Sequence, residues 1–140
     1  MVKFLDSSVF LHAYLRTRKK LSPEEEQVKH AALEILRRVE EGEVVATSVV
    51  HLSEAVNIVE TRLGLKEALK LLENSLATEN LTVLTTTRGN YEEALAIAAR
   101  YKISPNDALA ALLSRNMNIT GVYSFDKHFD NIPFIERIAE

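Results

Sequence analysis

Short apolar runs alternate with helical stretches along all 140 residues of this chain, and that alternation restricts the folds open to it. Val2 to Leu5 reads as a short buried strand, Val44-Val45-Ala46 as a second, Leu81 to Leu84 as a third and Ile119 to Tyr123 as a fourth, with Phe134-Ile135 a candidate fifth. The intervening helices run from Val9 to Leu15, Pro23 to Glu41, Ser48 to Gly64, Leu65 to Thr78, Asn90 to Lys102, and Ser104 to about Asn118. Ser22-Pro23-Glu24-Glu25 has the marks of a helix start: a serine N-cap, proline in the first turn and a glutamate that completes a capping box. Strands joined through helices need crossover connections, which make a parallel sheet with helices on both faces. The expected fold is therefore α/β, with a central parallel sheet of four to five strands. With no repeat, low-complexity tract or linker, residues 1–140 read as one domain.

Ligands of such a sheet bind beyond the carboxyl ends of its strands, where strand order reverses. The polar residues that follow each strand are therefore the candidates. Asp6 comes directly after the first strand. Glu54 lies on the helix after the second, between Val50 and Ile58 on an apolar face, where a carboxylate needs a partner or a metal. Asp107 sits at the third position of the helix that Ser104 starts. Asp126 follows the fourth strand, with Asp130 four residues on.

Each acid has an ordinary explanation. Asp6 and Asp126 can cap helices, Asp107 can close a capping box, and Glu54 can belong to an exposed polar stripe with Ser53 and Asn57. Taken together, though, three flank strand ends or helix starts on one edge of the sheet and the fourth lies about a turn into its helix. Four carboxylates in one crevice repel unless cations compensate them, and an all-oxygen site suits Mg²⁺ or Mn²⁺. Such ions activate water and neutralise phosphate charge. His51 is three residues from Glu54 and reads as surface or core packing; His12, His30 and His128 are scattered and read the same way.

Composition removes several alternatives. A formal net charge of -3 argues against a nonspecific coat for nucleic acid but not against an enzyme acting on it through bound metal. Positive charge does gather at Arg16, Arg18, Lys19 and Lys20, as a solvated loop or a contact for RNA phosphates. The absence of cysteine excludes disulfides and thiolate metal sites. The apolar runs are far short of a membrane span and no export signal is evident, so a cytoplasmic protein with no membrane partner is expected.

In this order and across almost the whole chain, Asp6 in FLDSS, Glu54 in SEAVN, Asp107 in NDALAA and Asp126 in SFDKHF resemble the four acidic motifs of the PIN domain, and the compact length is similar to the VapC-type toxin ribonucleases. The resemblance implies a three-layer α/β/α fold, RNA phosphodiester cleavage dependent on Mg²⁺ or Mn²⁺, a homodimer, and a small antitoxin that blocks the groove. It implies that Asp6, Glu54, Asp107 and Asp126 are catalytic metal ligands, that Ser124 hydrogen-bonds Asp6, that Ser7 and Ser8 fill polar positions after the first acid, and that Asn57 orients a ligand. The sequence departs from the pattern at Phe125, where many relatives are polar, and in the extra Asp130. The fourth acid is thus Asp126 or Asp130, with the spacing to Phe129 favouring Asp126. Other classes fit less well. A haloacid-dehalogenase-like phosphatase needs a second Asp where Ser8 stands, and a receiver domain needs two adjacent acids. A non-catalytic PIN-like module would not need all four carboxylates, whereas a PIN nuclease of RNA processing would share them.

Overall fold

The computed structural model describes residues 1–17 and 19–140; Arg18, one of the four basic candidates, lies outside the described residues. The elements follow in the order β1 (Lys3–Leu5), α1 (Ser7–Tyr14), α2 (Pro23–Glu40), β2 (Val45–Ser48), α3 (Val49–Leu63), α4 (Leu65–Ala77), β3 (Leu81–Leu84), α5 (Arg88–Tyr101), α6 (Pro105–Asn116), β4 (Gly121–Tyr123) and β5 (Glu136–Ile138). A 3-10 turn, Lys127–Asn131, separates the last two strands. All strand pairings are parallel, in the order β3-β2-β1-β4-β5. The chain builds outward from β1 to β3, then returns to the other side of β1 for β4 and β5. The reversal therefore lies between β1 and β4.

Side-chain alternation along the strands divides the core. Phe4, Ala46 and Val122 face α5, α6 and the segment after β4, where Phe129, Ile132 and Ile135 are buried. Leu5, Val45 and Tyr123 face the opposite layer of α1, α2, α3 and α4. This is a three-layer α/β/α arrangement with five strands. From Asp107 to Ser114 every residue of α6 is buried, because that helix is covered by the sheet on one side and α5 on the other.

Local signals place most boundaries. Ser22 and Glu25 make both bonds of the expected capping box, and Ser48 accepts from the His51 N–H to start α3. Gly64, at φ 96°, turns the chain directly from α3 into α4. Several expectations needed correction, the fourth strand beginning at Gly121 rather than Ile119 among them. Helix α1 starts at Ser7, two residues early. Strand β2 extends through Thr47 and Ser48, whose hydroxyls are satisfied internally; Thr47 Oγ1 donates to the Leu5 carbonyl at 2.8 Å. Helix α5 starts at Arg88, because Thr87 and Asn90 form a second capping box. The fifth strand is Glu136–Ile138, since Ile135 turns into the core.

Leu109 is fully buried in the α6 layer. Leu109→Ala is expected to cost about 2–5 kcal/mol by leaving a cavity; chemical denaturation should show a lower midpoint with an unchanged slope.

Candidate active site

The register of β1 and β4 builds the centre of the site. Phe4 pairs with Val122 and Leu5 with Tyr123, so one step further sets Asp6 beside Ser124. Ser124 Oγ donates to Asp6 Oδ2 at 2.8 Å, as the motif led one to expect, and Ser8 Oγ donates to the same oxygen at 2.8 Å. The two hydroxyls accept in turn from the backbone N–H groups of Asp126 and Phe125, at 3.0 and 3.1 Å. The loop after β4 is thereby tied to Asp6 through two serines. Asp6 occupies the N-cap position of α1, but its side chain makes no cap bond. Capping, the ordinary explanation, does not describe it.

Glu54 is held from two sides. Ser7 Oγ donates to Oε1, and Asn106 Nδ2 donates to Oε2 at 2.8 Å. Tyr91 donates its hydroxyl to Asn106 Oδ1 at 2.9 Å, which fixes the amide's orientation. Behind this pair, His51 is fully buried. Its Nε2–H donates to the Asn106 carbonyl at 2.9 Å, and its Nδ1 accepts from Ser48 Oγ at 2.6 Å. The carbonyl can only accept, so this tautomer follows. Burial holds the His51 pKa below its ordinary value, against the nearby charges of Asp6 and Glu54. His51 is a core residue that pins the start of α3 to the start of α6.

Asp107 receives its backbone cap from Ser104, whose Oγ accepts the Asp107 N–H at 3.2 Å, but the carboxylate does not close a capping box. Only 7% of Asp107 is exposed, and among the described residues its buried Oδ2 has no hydrogen-bond partner. Burial, then the neighbouring Asp126, then Asp6 push its pKa up to about 8, with Ser104 opposing. Asp126 caps the 3-10 turn, accepting the His128 N–H at 2.9 Å. His128 Nδ1 is 3.1 Å from Asp126 Oδ1 and 3.9 Å from Asp107 Oδ2.

The structure thus brings Asp107, Asp126 and His128 together, with Asp6 near enough to raise the Asp107 pKa, while Glu54 is tied to Asn106, the residue before Asp107. Two of the secondary candidates, Asp130 and Asn57, behave otherwise, and Phe125, where the sequence departs from the motif, faces away. Asp130 points to β5 and pairs with Arg137 at 3.0 Å, so Asp126 and not Asp130 stands beside Asp107. Asn57 is exposed, and its carbonyl accepts from Thr61; the residue that orients Glu54 is Asn106. Phe125 stacks edge-on against His12, with 5.3 Å between centroids, on the α1 side of the sheet. Arg16, Lys19 and Lys20 are exposed beyond the end of α1. Sequence reasoning missed Asn106 and the ring of His128. The first follows from the Ser104-Pro105 helix start, which projects its opening turn over the sheet edge; nothing local signals the second.

A buried, unpartnered carboxylate oxygen beside a second carboxylate is the arrangement a hard divalent cation relieves. The donor set, mostly carboxylate oxygen, fits Mg²⁺ or Mn²⁺.

A PIN domain family model matches residues 3–135. Among solved structures the chain is similar to VapC20 of Mycobacterium tuberculosis, described as a Sarcin-Ricin loop cleaving toxin, at 22% identity and TM-score 0.74 over 97% of this chain and 98% of that one. It is similar also to VapBC2 from Rickettsia felis, bound to a DNA fragment from their promoter, at 17% identity and TM-score 0.66 over 99% and 98%. A toxin-antitoxin complex from Klebsiella pneumoniae shows 15% identity and TM-score 0.63 over 96% and 95%. No curated protein matches. At these identities the structural likeness establishes the fold.

The raised Asp107 pKa has a consequence for stability. An aspartate titrates near 4 in the unfolded chain; Asp107 in the folded state titrates at about 8. Between those values the folded protein binds the extra proton, so this group's effect on metal-free stability worsens as pH rises. His51 acts oppositely: its lowered pKa costs stability as pH falls below about 6.5. Asp107→Asn removes the first effect and keeps the second. In chelator, the melting temperature of Asp107→Asn relative to the native protein should climb from pH 5 to pH 8; parallel curves would show that Asp107 is not the group responsible.

Proposed function

The chain belongs to the PIN domain family, and from that membership we propose that it is a metal-dependent endoribonuclease, the toxin of a toxin-antitoxin pair. The observation that carries the reading is the unpartnered, buried Oδ2 of Asp107 beside Asp126 at the point where strand order reverses.

In this reading Asp6, Glu54, Asp107 and Asp126 hold Mg²⁺ or Mn²⁺. Bound there, the ion would lower the pKa of an attacking water and neutralise charge on the scissile phosphate. The protein's own work is positioning. Ser8 and Ser124 both occupy Oδ2 of Asp6, which leaves Oδ1 for the ion in this reading. Ser7 and Asn106 fix the Glu54 carboxylate, whose oxygens retain further lone pairs. His51 keeps the two helix starts in register, so Glu54 and Asp107 stay at a constant spacing. No side-chain nucleophile is required, because water attacks.

In this reading RNA approaches the acids along the α1 side, where Arg16, Lys19 and Lys20 are exposed beyond the end of the helix that starts next to Asp6; Arg18 belongs to the same segment. The structures from Rickettsia felis and Klebsiella pneumoniae, described as VapBC2 and as a toxin-antitoxin complex, support a small antitoxin protein as partner, and the reading includes a homodimer acting in the cytoplasm. Among the described residues no helix is long and apolar enough to cross a membrane.

Purified protein should cleave RNA with Mg²⁺ or Mn²⁺ and stop on chelation, and Glu54→Gln should lower the rate on the order of a hundredfold by misplacing ion and water. Cleavage that survives exhaustive chelation would reject the metal mechanism. For the basic segment, a double Lys19→Ala, Lys20→Ala variant should bind RNA more weakly and with a shallower salt dependence, roughly one phosphate contact less in slope. An unchanged slope would return these lysines to the role of solvated loop.

A further inference from the structure

The ring of His128 lies where the four-acid reading leaves no role for it. Ligand atoms of His128, Asp126 and Asp107, one from each, lie within 4.8 Å of one another. The Asp107 Oδ2 is buried and, among the described residues, has no donor, so one corner of this triangle is an open acceptor. Two ligands bound at about 2.1 Å stand about 3 Å apart at a right angle and about 4.2 Å apart when opposite. The measured separations from Nδ1, 3.1 Å and 3.9 Å, fall within that interval.

The position of the ring is set by its backbone. Phe129, the next residue, is fully buried, and the His128 N–H is tied to Asp126. The 3-10 turn thus presents the imidazole to the carboxylates of Asp126 and Asp107. Asp126 Oδ1 already takes the backbone N–H, so the Nδ1 contact adds little as a cap. It adds a third donor to the space that Asp107 faces.

We propose that His128 is a ligand of the ion held by Asp107 and Asp126, which gives this site one nitrogen donor and biases it toward Mn²⁺ over Mg²⁺. Oxygen donors alone suit Mg²⁺, whereas imidazole favours transition metals. The proposal rests on the reading that these acids bind a divalent cation. The other histidines do not compete. Both ring nitrogens of His51 are taken by Ser48 and Asn106. His12 stacks on Phe125, and His30 lies on α2, lining a groove with Glu34 and Arg38.

The test is pulsed EPR of the full chain loaded with Mn²⁺, read for nitrogen-14 modulation, together with Mn²⁺ and Mg²⁺ affinities of the native protein and His128→Gln. His128 is exposed, so this replacement leaves the core untouched. Nitrogen modulation in the native protein is expected to vanish in His128→Gln, with Mn²⁺ affinity falling about tenfold and Mg²⁺ affinity falling less. Bound Mn²⁺ without nitrogen modulation, or modulation that persists in the variant, would overturn the ligand assignment while leaving the four-acid site standing. Failure of Mn²⁺ to bind at all would overturn the metal site and this inference with it.

Discussion

Carboxylates converge in this protein where they repel, and the surrounding structure is arranged around that conflict. Asp107 is buried against Asp126 and within the field of Asp6, and one of its oxygens has no donor. A group so placed destabilises the metal-free fold, and such placements persist where they serve a function. The cost is carried by rigid neighbours. Helix α6, buried from Asp107 to Ser114, cannot swing its first turn outward without opening the core it shares with α5 and the sheet.

Each acid is held by a different device. Asp6 depends on register: the β1 and β4 pairing leaves it level with Ser124. Glu54 depends on helix placement, since Ser7 and Asn106 reach it from the starts of α1 and α6. Asp126 depends on the 3-10 turn that it caps. The common support is short polar side chains. Ser7, Ser8 and Ser124 are small enough to lie among strand ends and can donate to a carboxylate while accepting from backbone N–H groups. His51 does the same on a larger scale, linking Ser48 to the Asn106 carbonyl inside the core.

Asp6 shows how a local pattern can be satisfied by a different interaction. Its place before a helix is that of an N-cap, and the backbone adopts cap geometry, yet both hydroxyl bonds it receives come from Ser8 and from Ser124, which is 118 positions away. Asn57 and Asn106 show the converse. Asn57 is one helical turn from Glu54 in sequence, but that face of α3 is open to solvent. Asn106 is 52 positions away and supplies the bond. Asp130 was separable from Asp126 only once β5 was located, because its partner Arg137 is on that strand.

The sequence by itself determined the α/β class, the order of elements and most helix starts, and it singled out the four acids as candidates. These depend on local physics: apolar periodicity distinguishes strand from helix, and Ser, Thr and Pro mark helix ends within a few residues. Tertiary structure alone decided which strand neighbours which, that Phe134-Ile135 turns into the core while Glu136–Ile138 completes the sheet, and which side chains meet at the reversal point. It placed Asn106 on Glu54, sent Asp130 to Arg137 and brought the ring of His128 to Asp126 and Asp107. The reason is physical. A cap or a turn is closed by residues a few positions apart, so its partners are written side by side in the chain. A site at a strand-order reversal is closed between different elements, Asp6 to Ser124 through the β1–β4 register and Glu54 to Asn106 across 52 positions, which no local pattern encodes.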